Sequence, residues 1–192
     1  MRVLKRRAVA DAGELAAMLA ECAARLEPGL VPLQRGVAAG EVTVDLAFAD
    51  TSGRLVLVTC DVVAGPETVL RAVEGAAWWA EHAGLRSRVF PGAALEREAP
   101  PRALIVASRF SDRALRLLRA LGPSAPEAVE CGLFEDADGP VVGLDRLDLA
   151  SGRVQAHSPS ADATAETPRP EARRAAVLIE RLERLRFSEG FR

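Results

Sequence analysis

The chain has 192 residues, 49% hydrophobic and 27% charged, which suits one domain with its own core and excludes a disordered or fibrous protein. Its formal net charge of −2 excludes the global basic excess usual in nucleic-acid binders and leaves only local basic surfaces for that role. No apolar run approaches the ~20 residues of a bilayer span, and the N-terminal stretch lacks the apolar core and cleavage site of a signal peptide. Cys22, Cys60 and Cys131 lack metal-like spacing and read as reduced, mostly buried thiols of a cytoplasmic protein without a membrane role.

Residues 11–26 predict a first helix, with Leu15, Met18, Leu19, Cys22 and Leu26 on one face. Asp11 and Glu14 have capping-box spacing, and Glu14 and Glu21, seven apart, share a flank of that helix. Pro28-Gly29 ends it. Residues 30–34 predict a short strand, which Pro32 assigns to a sheet edge. Residues 41–61, EVTVDLAFADTSGRLVLVTCD, predict two strands joined at Asp50-Thr51-Ser52-Gly53. The first alternates and holds Asp45. The second is a continuous apolar run, as expected of a central strand covered on both faces, and ends at Asp61.

Pro66 opens a second helix over residues 67–83. Its adjacent Trp78 and Trp79 differ by ~100° around the axis, so only one can face the core; the other is left for packing or for stacking on a base or partner. Residues 85–101 read as loop and 103–107 as a buried strand. Ser111 caps a third helix, residues 112–121. Arg102, Arg109, Arg113, Arg116 and Arg119 surround it, as a solvated face or a phosphate-contacting patch. Residues 128–134 and 140–148 predict a last hairpin. His82 and His157 have no visible metal partners, and Cys60 reads as a core residue. The domain therefore occupies residues 1–150, followed by a polar, proline-containing linker (151–170) and an arginine-rich amphipathic helix (171–192). The strand–helix–strand step from 54 to 107 predicts a parallel crossover, and the whole a mixed α/β sheet with helices on both faces.

Helix, three-strand meander, helix, strand (αβββαβ) resembles the core of the restriction-endonuclease-like, or PD-(D/E)xK, superfamily. The segments LEPGLVPL and VTVDLAFADTSGRLVLV and the Trp78-Trp79 helix are similar to the catalytic domain of its mismatch-type endonucleases, over roughly residues 12–148. The resemblance places Asp45 at the metal-binding Asp. Thr59 stands at the Glu and Asp61 at the Lys of the Glu-x-Lys motif, which is therefore degenerate. Glu14 or Glu21 would be the helix-one acid, and Glu74 loosely matches a helix Gln.

In that family, carboxylates hold Mg²⁺ ions that activate water and neutralise charge on the scissile phosphate. Here Thr59 offers one neutral oxygen, and Lys5 is the only lysine in the chain. Arginine is a poor general base because its pKa is too high. The reading is a non-catalytic nuclease-like domain binding nucleic acid or a protein partner, with Arg109, Arg113 and Arg116 as candidate contacts. The alternative is a Mg²⁺- or Mn²⁺-dependent DNA endonuclease using Asp45 and Asp61 with Glu14 or Glu21. A further alternative is a structural protein forming homo-oligomers through its C-terminal helix.

Overall fold

The computed structural model describes residues 5–136 and 139–149; the expected linker and C-terminal helix lie outside the described residues. Its elements are β1 (Lys5–Arg7), α1 (Ala12–Glu21), α2 (Ala23–Leu26), β2 (Val31–Ala39), β3 (Val42–Ala49) and β4 (Leu55–Ala64). They continue with α3 (Pro66–Glu81), α4 (Arg86–Val89), β5 (Arg102–Phe110), α5 (Asp112–Leu121), β6 (Glu127–Asp136) and β7 (Gly139–Arg146). The strands form one mixed sheet in the order β1-β6-β5-β4-β3-β2, with β7 also pairing β6. β2, β3 and β4 are successive antiparallel neighbours, whereas β4–β5 and β5–β6 are parallel pairs joined through α3 and α5. The expected αβββαβ order is therefore present, with a seventh strand, β1, added at the start.

β4 explains why one segment organises the rest. Val56, Val58 and Cys60 join Leu46, Phe48, Leu104 and Val106 on one face, under Leu15, Leu19 and Leu26 of α1 and α2. Leu55 and Leu57 lie on the other face, in a cluster with Val37 and Trp79. Ile105 and Ala107 of β5 meet Val69 of α3 and Leu118 of α5 on that same side. A strand buried on both faces must be apolar throughout, which is the run Leu55–Val58.

Several boundaries differ from the sequence reading. The first helix breaks at Cys22 (φ −118°, ψ 32°), and a short second turn then carries Ala23 and Leu26 into the core. The strand expected over 30–34 runs to Ala39 and returns through a two-residue turn at Gly40-Glu41. Only Val37 and Ala39 of β2 are buried, so the strand depends on pairing with β3 rather than on its own apolar pattern. β2 is the outermost strand, as Pro32 suggested; its register shifts between Pro32 and Gln34, and Gly36 has a φ of +62°. β4 does not end at Asp61 but continues to Ala64. The stretch 85–101 is not all loop, since α4 opens it. There Arg86, 3% exposed, donates to the carbonyls of Ala99 (2.8 Å), Glu96 (3.0 Å), Trp79 (3.2 Å) and Arg97 (3.4 Å).

α3 lies close on the sheet because Gly75 has no side chain. A Cβ there would stand 2.7 Å from Cγ2 of Val44, a buried β-branched residue with few rotamers to retreat into. Gly75→Ala gains ~1 kcal/mol of helix propensity, but overpacking typically costs about 1–3 kcal/mol. We expect a net loss of about 1 kcal/mol in urea unfolding; a gain in stability would mean that Val44 yields freely.

Candidate functional site

Asp45 sits where two strands part. β3 and β4 pair from Ala49↔Leu55 to Leu46↔Val58 and no further. The backbone groups of Cys60, which would have bonded the next rung of β3, are satisfied by side chains instead. The Cys60 N–H donates to Asp45 Oδ2 at 2.7 Å. Arg71 of α3 donates to the Cys60 carbonyl at 2.9 Å and to the same Asp45 oxygen at 3.2 Å. Asp45 and Arg71 thus plug the open rung as an ion pair, each side chain partly exposed. Burial pushes the Cys60 thiol far up, and the neighbouring Asp45 carboxylate adds to it, so this thiol stays protonated.

Asp61 lies one step beyond, half-buried, and accepts a 2.7 Å hydrogen bond from the Thr68 hydroxyl. That hydroxyl in turn accepts from the Gly65 N–H at 3.1 Å, satisfying a free amide at the start of α3. Thr59 is 1% exposed. Glu14 accepts from the Ala10 N–H at 2.7 Å and from the Arg7 guanidinium, while its own N–H donates to the capping Asp11 carboxylate at 2.8 Å. Glu21 is exposed at the end of α1. Asp45 and Asp61 are both near Cys60, but neither helix-one acid joins them, and among the described residues no three His, Cys, Asp or Glu side chains gather to hold a metal.

The arginines divide into two sets. Arg109, Arg113 and Arg116 are exposed and make no ion pair among the described residues. Arg102, expected beside them, is instead the hub of a network at the other end of the sheet. It meets both oxygens of Glu27 at 2.9 Å, Glu127 at 2.9 and 3.1 Å, and Asp50 at 3.2 Å. Arg146 closes the network onto Glu27 at 2.9 Å and onto Glu127. The Arg102 side chain accordingly stays charged at any ordinary pH, chiefly because of the Glu27 bonds. Trp79 is buried, and Trp78 is half-buried, stacked on His82 with ring centroids 4.2 Å apart. His82 Nδ1 lies 2.8 Å from the Trp78 carbonyl.

Comparison with solved structures gives one kind of likeness. The chain is similar to a repair endonuclease. That structure, from Pyrococcus abyssi, has 19% sequence identity and a TM-score of 0.45 over 56% of this chain and 42% of its own. EndoMS in a complex with dsDNA is similar at 23% identity and a TM-score of 0.44, covering 60% of this chain and 44% of that one. Apo EndoMS is similar at 21% identity and 0.41, covering 58% and 43%. The chain thus spans less than half the length of the structures it matches. No family model and no curated protein matches it.

Sequence reasoning missed Arg71 and Thr68, the two α3 residues that hold the carboxylates. The available signal was a strand carboxylate in need of a partner, followed by a helix whose buried face (Thr68, Ala72, Gly75, Trp79) is flanked by one arginine.

Proposed function

We propose that this chain is a nuclease-like domain that has lost metal-dependent cleavage and binds nucleic acid through arginines at the carboxyl ends of its parallel strands. The observation carrying the first half is the Asp45–Arg71 pair. A hard dication needs several anionic oxygens free to converge. Here one Asp45 oxygen takes an amide and a guanidinium, Thr59 is neutral and buried, and Asp61 receives the Thr68 hydroxyl. This donor set does not fit Mg²⁺ or Mn²⁺, since the ion would have to displace Arg71 and would meet its charge. The second half is supported by Arg109, Arg113 and Arg116, which follow β5 into α5 with no carboxylate partner among the described residues.

The test is incubation of wild type, Asp45→Ala and Arg71→Ala with single-stranded, duplex, mismatched and branched DNA in Mg²⁺ or Mn²⁺. We expect no cleavage attributable to any of them, and a stability loss of roughly 2 kcal/mol in Asp45→Ala, because the Cys60 N–H is left unpaired and Arg71 loses its carboxylate. Metal-dependent cleavage by wild type that vanishes in Asp45→Ala would overturn the reading and favour an endonuclease using Asp45 and Asp61. Nucleic-acid binding should weaken steeply with salt. Absence of binding would instead favour a protein partner.

A further inference from the structure

Beyond α5, the sheet face carries an aromatic ring that takes no part in the buried core. Ala128 of β6 lies under α5, in the cluster with Ile105, Ala107 and Leu118, whereas Val129, Cys131 and Leu133 belong to the opposite face, under α1. Strand alternation therefore puts Glu130, Gly132 and Phe134 on the α5 face. Gly132 and Gly143 of β7 are Cα partners, and the Phe134 ring lies over both. A Cβ at Gly132 would stand 2.8 Å from Cε2 of that ring, and one at Gly143 3.2 Å from the same atom. Two facing glycines thus give the ring room to lie against the sheet. Phe134 is only partly buried and belongs to none of the buried clusters of the described residues. One side of the ring meets the glycines, and the other is turned away from the sheet.

Charged side chains flank the ring on the same face. Arg6 is the Cα partner of Phe134, while its neighbour Arg7 turns to the other face and pairs with Glu14 of α1. Arg109 follows Ala107 by two residues on β5 and shares its face. It stands two residues past the last β5–β6 rung, Ala107↔Glu130, on the Gly132 side of Phe134. Both arginines are exposed and make no ion pair among the described residues. On the far side of the two glycines, Glu130 and Asp145 are Cα partners. Like charges directly opposite destabilise a sheet, and neither carboxylate has an ion-pair partner among the described residues. An aromatic face between two cations and two carboxylates has the chemistry to hold a nucleotide, whose base is flat and carries amino donors and whose phosphate is anionic. We propose that this face binds one nucleotide of a single-stranded nucleic acid. Its base stacks on Phe134, its phosphates meet Arg6 and Arg109, and Glu130 and Asp145 accept from an amino group on the base. Stacking needs an unpaired base, so a duplex is a poor occupant. The proposal rests on the nucleic-acid reading above and adds to it the form of the strand and a contact to the base.

The experiment is fluorescence anisotropy of labelled oligo-dC, oligo-dT, an abasic strand and a duplex of the same length, across a salt series. Phe134→Leu keeps the glycines covered but removes the π-face, and should weaken oligo-dC binding about tenfold. Phe134→Tyr keeps the ring and should bind as wild type does. Neither substitution should change binding of the abasic strand. Arg6→Ala should lower the log–log salt slope by about 0.7, the value for one phosphate of a single strand. Cytosine presents an amino donor where thymine presents an acceptor, so wild type should prefer oligo-dC to oligo-dT, and Glu130→Gln/Asp145→Asn should erase the preference. Urea midpoints are read alongside, because a ring over facing glycines also shields the sheet. A lower midpoint in Phe134→Leu with unchanged affinity would assign the ring to shielding and overturn the stacking. Duplex bound as tightly as single strands, or Phe134→Leu and Arg6→Ala binding like wild type, would overturn this face and leave the nucleic-acid reading to the α5 arginines. Equal binding of oligo-dC and oligo-dT by wild type would overturn the role of the carboxylates. Binding of no oligonucleotide by wild type would overturn both readings.

Discussion

Arg86→Met is expected to lower the unfolding free energy by about 3 kcal/mol, the largest effect of any single substitution considered. The Arg86 guanidinium is buried and makes no ion pair among the described residues. Its charge is stabilised by four main-chain carbonyls, one on α3 and three on the segment before β5. Burial alone pulls its pKa down from the ordinary arginine value, yet it remains charged. Methionine fills the stem's volume but offers no donor, so the carbonyls of Trp79, Glu96 and Ala99 lose their partner and residues 90–101 lose their tether to the helix. Lysine at the same place keeps a charge and three donors but not the planar fork, and should fall between the two. Urea unfolding of the three proteins reads the order directly. A methionine variant as stable as wild type would mean that water reaches those carbonyls without cost.

The second large effect concerns acid. Asp50 closes the β3–β4 turn, with Oδ1 accepting from the Ser52 hydroxyl (2.6 Å) and from the Ser52 and Arg54 amides (2.9 Å each), while Oδ2 receives Arg102. Burial pushes this carboxyl up, but the Ser52 hydroxyl, the two amides and Arg102 together outweigh it and bring it down to about 2. A depressed folded pKa contributes stability that is complete above the unfolded value of about 3.9 and is lost as pH falls through the folded one. The drop from 3.8 to about 2 corresponds to about 2 kcal/mol, lost between roughly pH 4 and pH 2. Glu27, held low chiefly by Arg102, acts with the same sign. Asp50→Asn should be destabilised by a similar amount at neutral pH and should show a flatter acid limb. Equal acid limbs in urea titrations from pH 7 to 2 would assign the loss to other carboxylates.

What the sequence made legible followed from local pattern. α5 emerged over 112–121 with Ser111 as its cap, because four leucines and an N-cap within one short window leave little freedom. β4 was legible because two-sided burial writes itself as an apolar run. β1 and β2 were harder: Lys5–Arg7 has no apolar residue, and β2 buries only two. They are strands because a neighbour supplies the other half of each hydrogen bond. The site followed the same division. Asp45 stood out by its position inside a strand, but its partner Arg71 lies 26 residues further along. Arg102 was grouped with the arginines next to it in sequence, whereas its partners Glu27 and Asp50 are 75 and 52 residues away.

The outer strand also constrains how another molecule can approach. Proteins that recruit an extended peptide usually extend their sheet with it, rung by rung along an open edge. On β2 that ladder is interrupted three times: Pro32 offers no N–H, the register slips before Gln34, and Gly36 turns the backbone through a positive φ. Such interruptions are how natural sheets refuse edge-to-edge addition. Recognition at this edge by main-chain pairing is therefore blocked, and a molecule meeting β2 would have to be held by side chains.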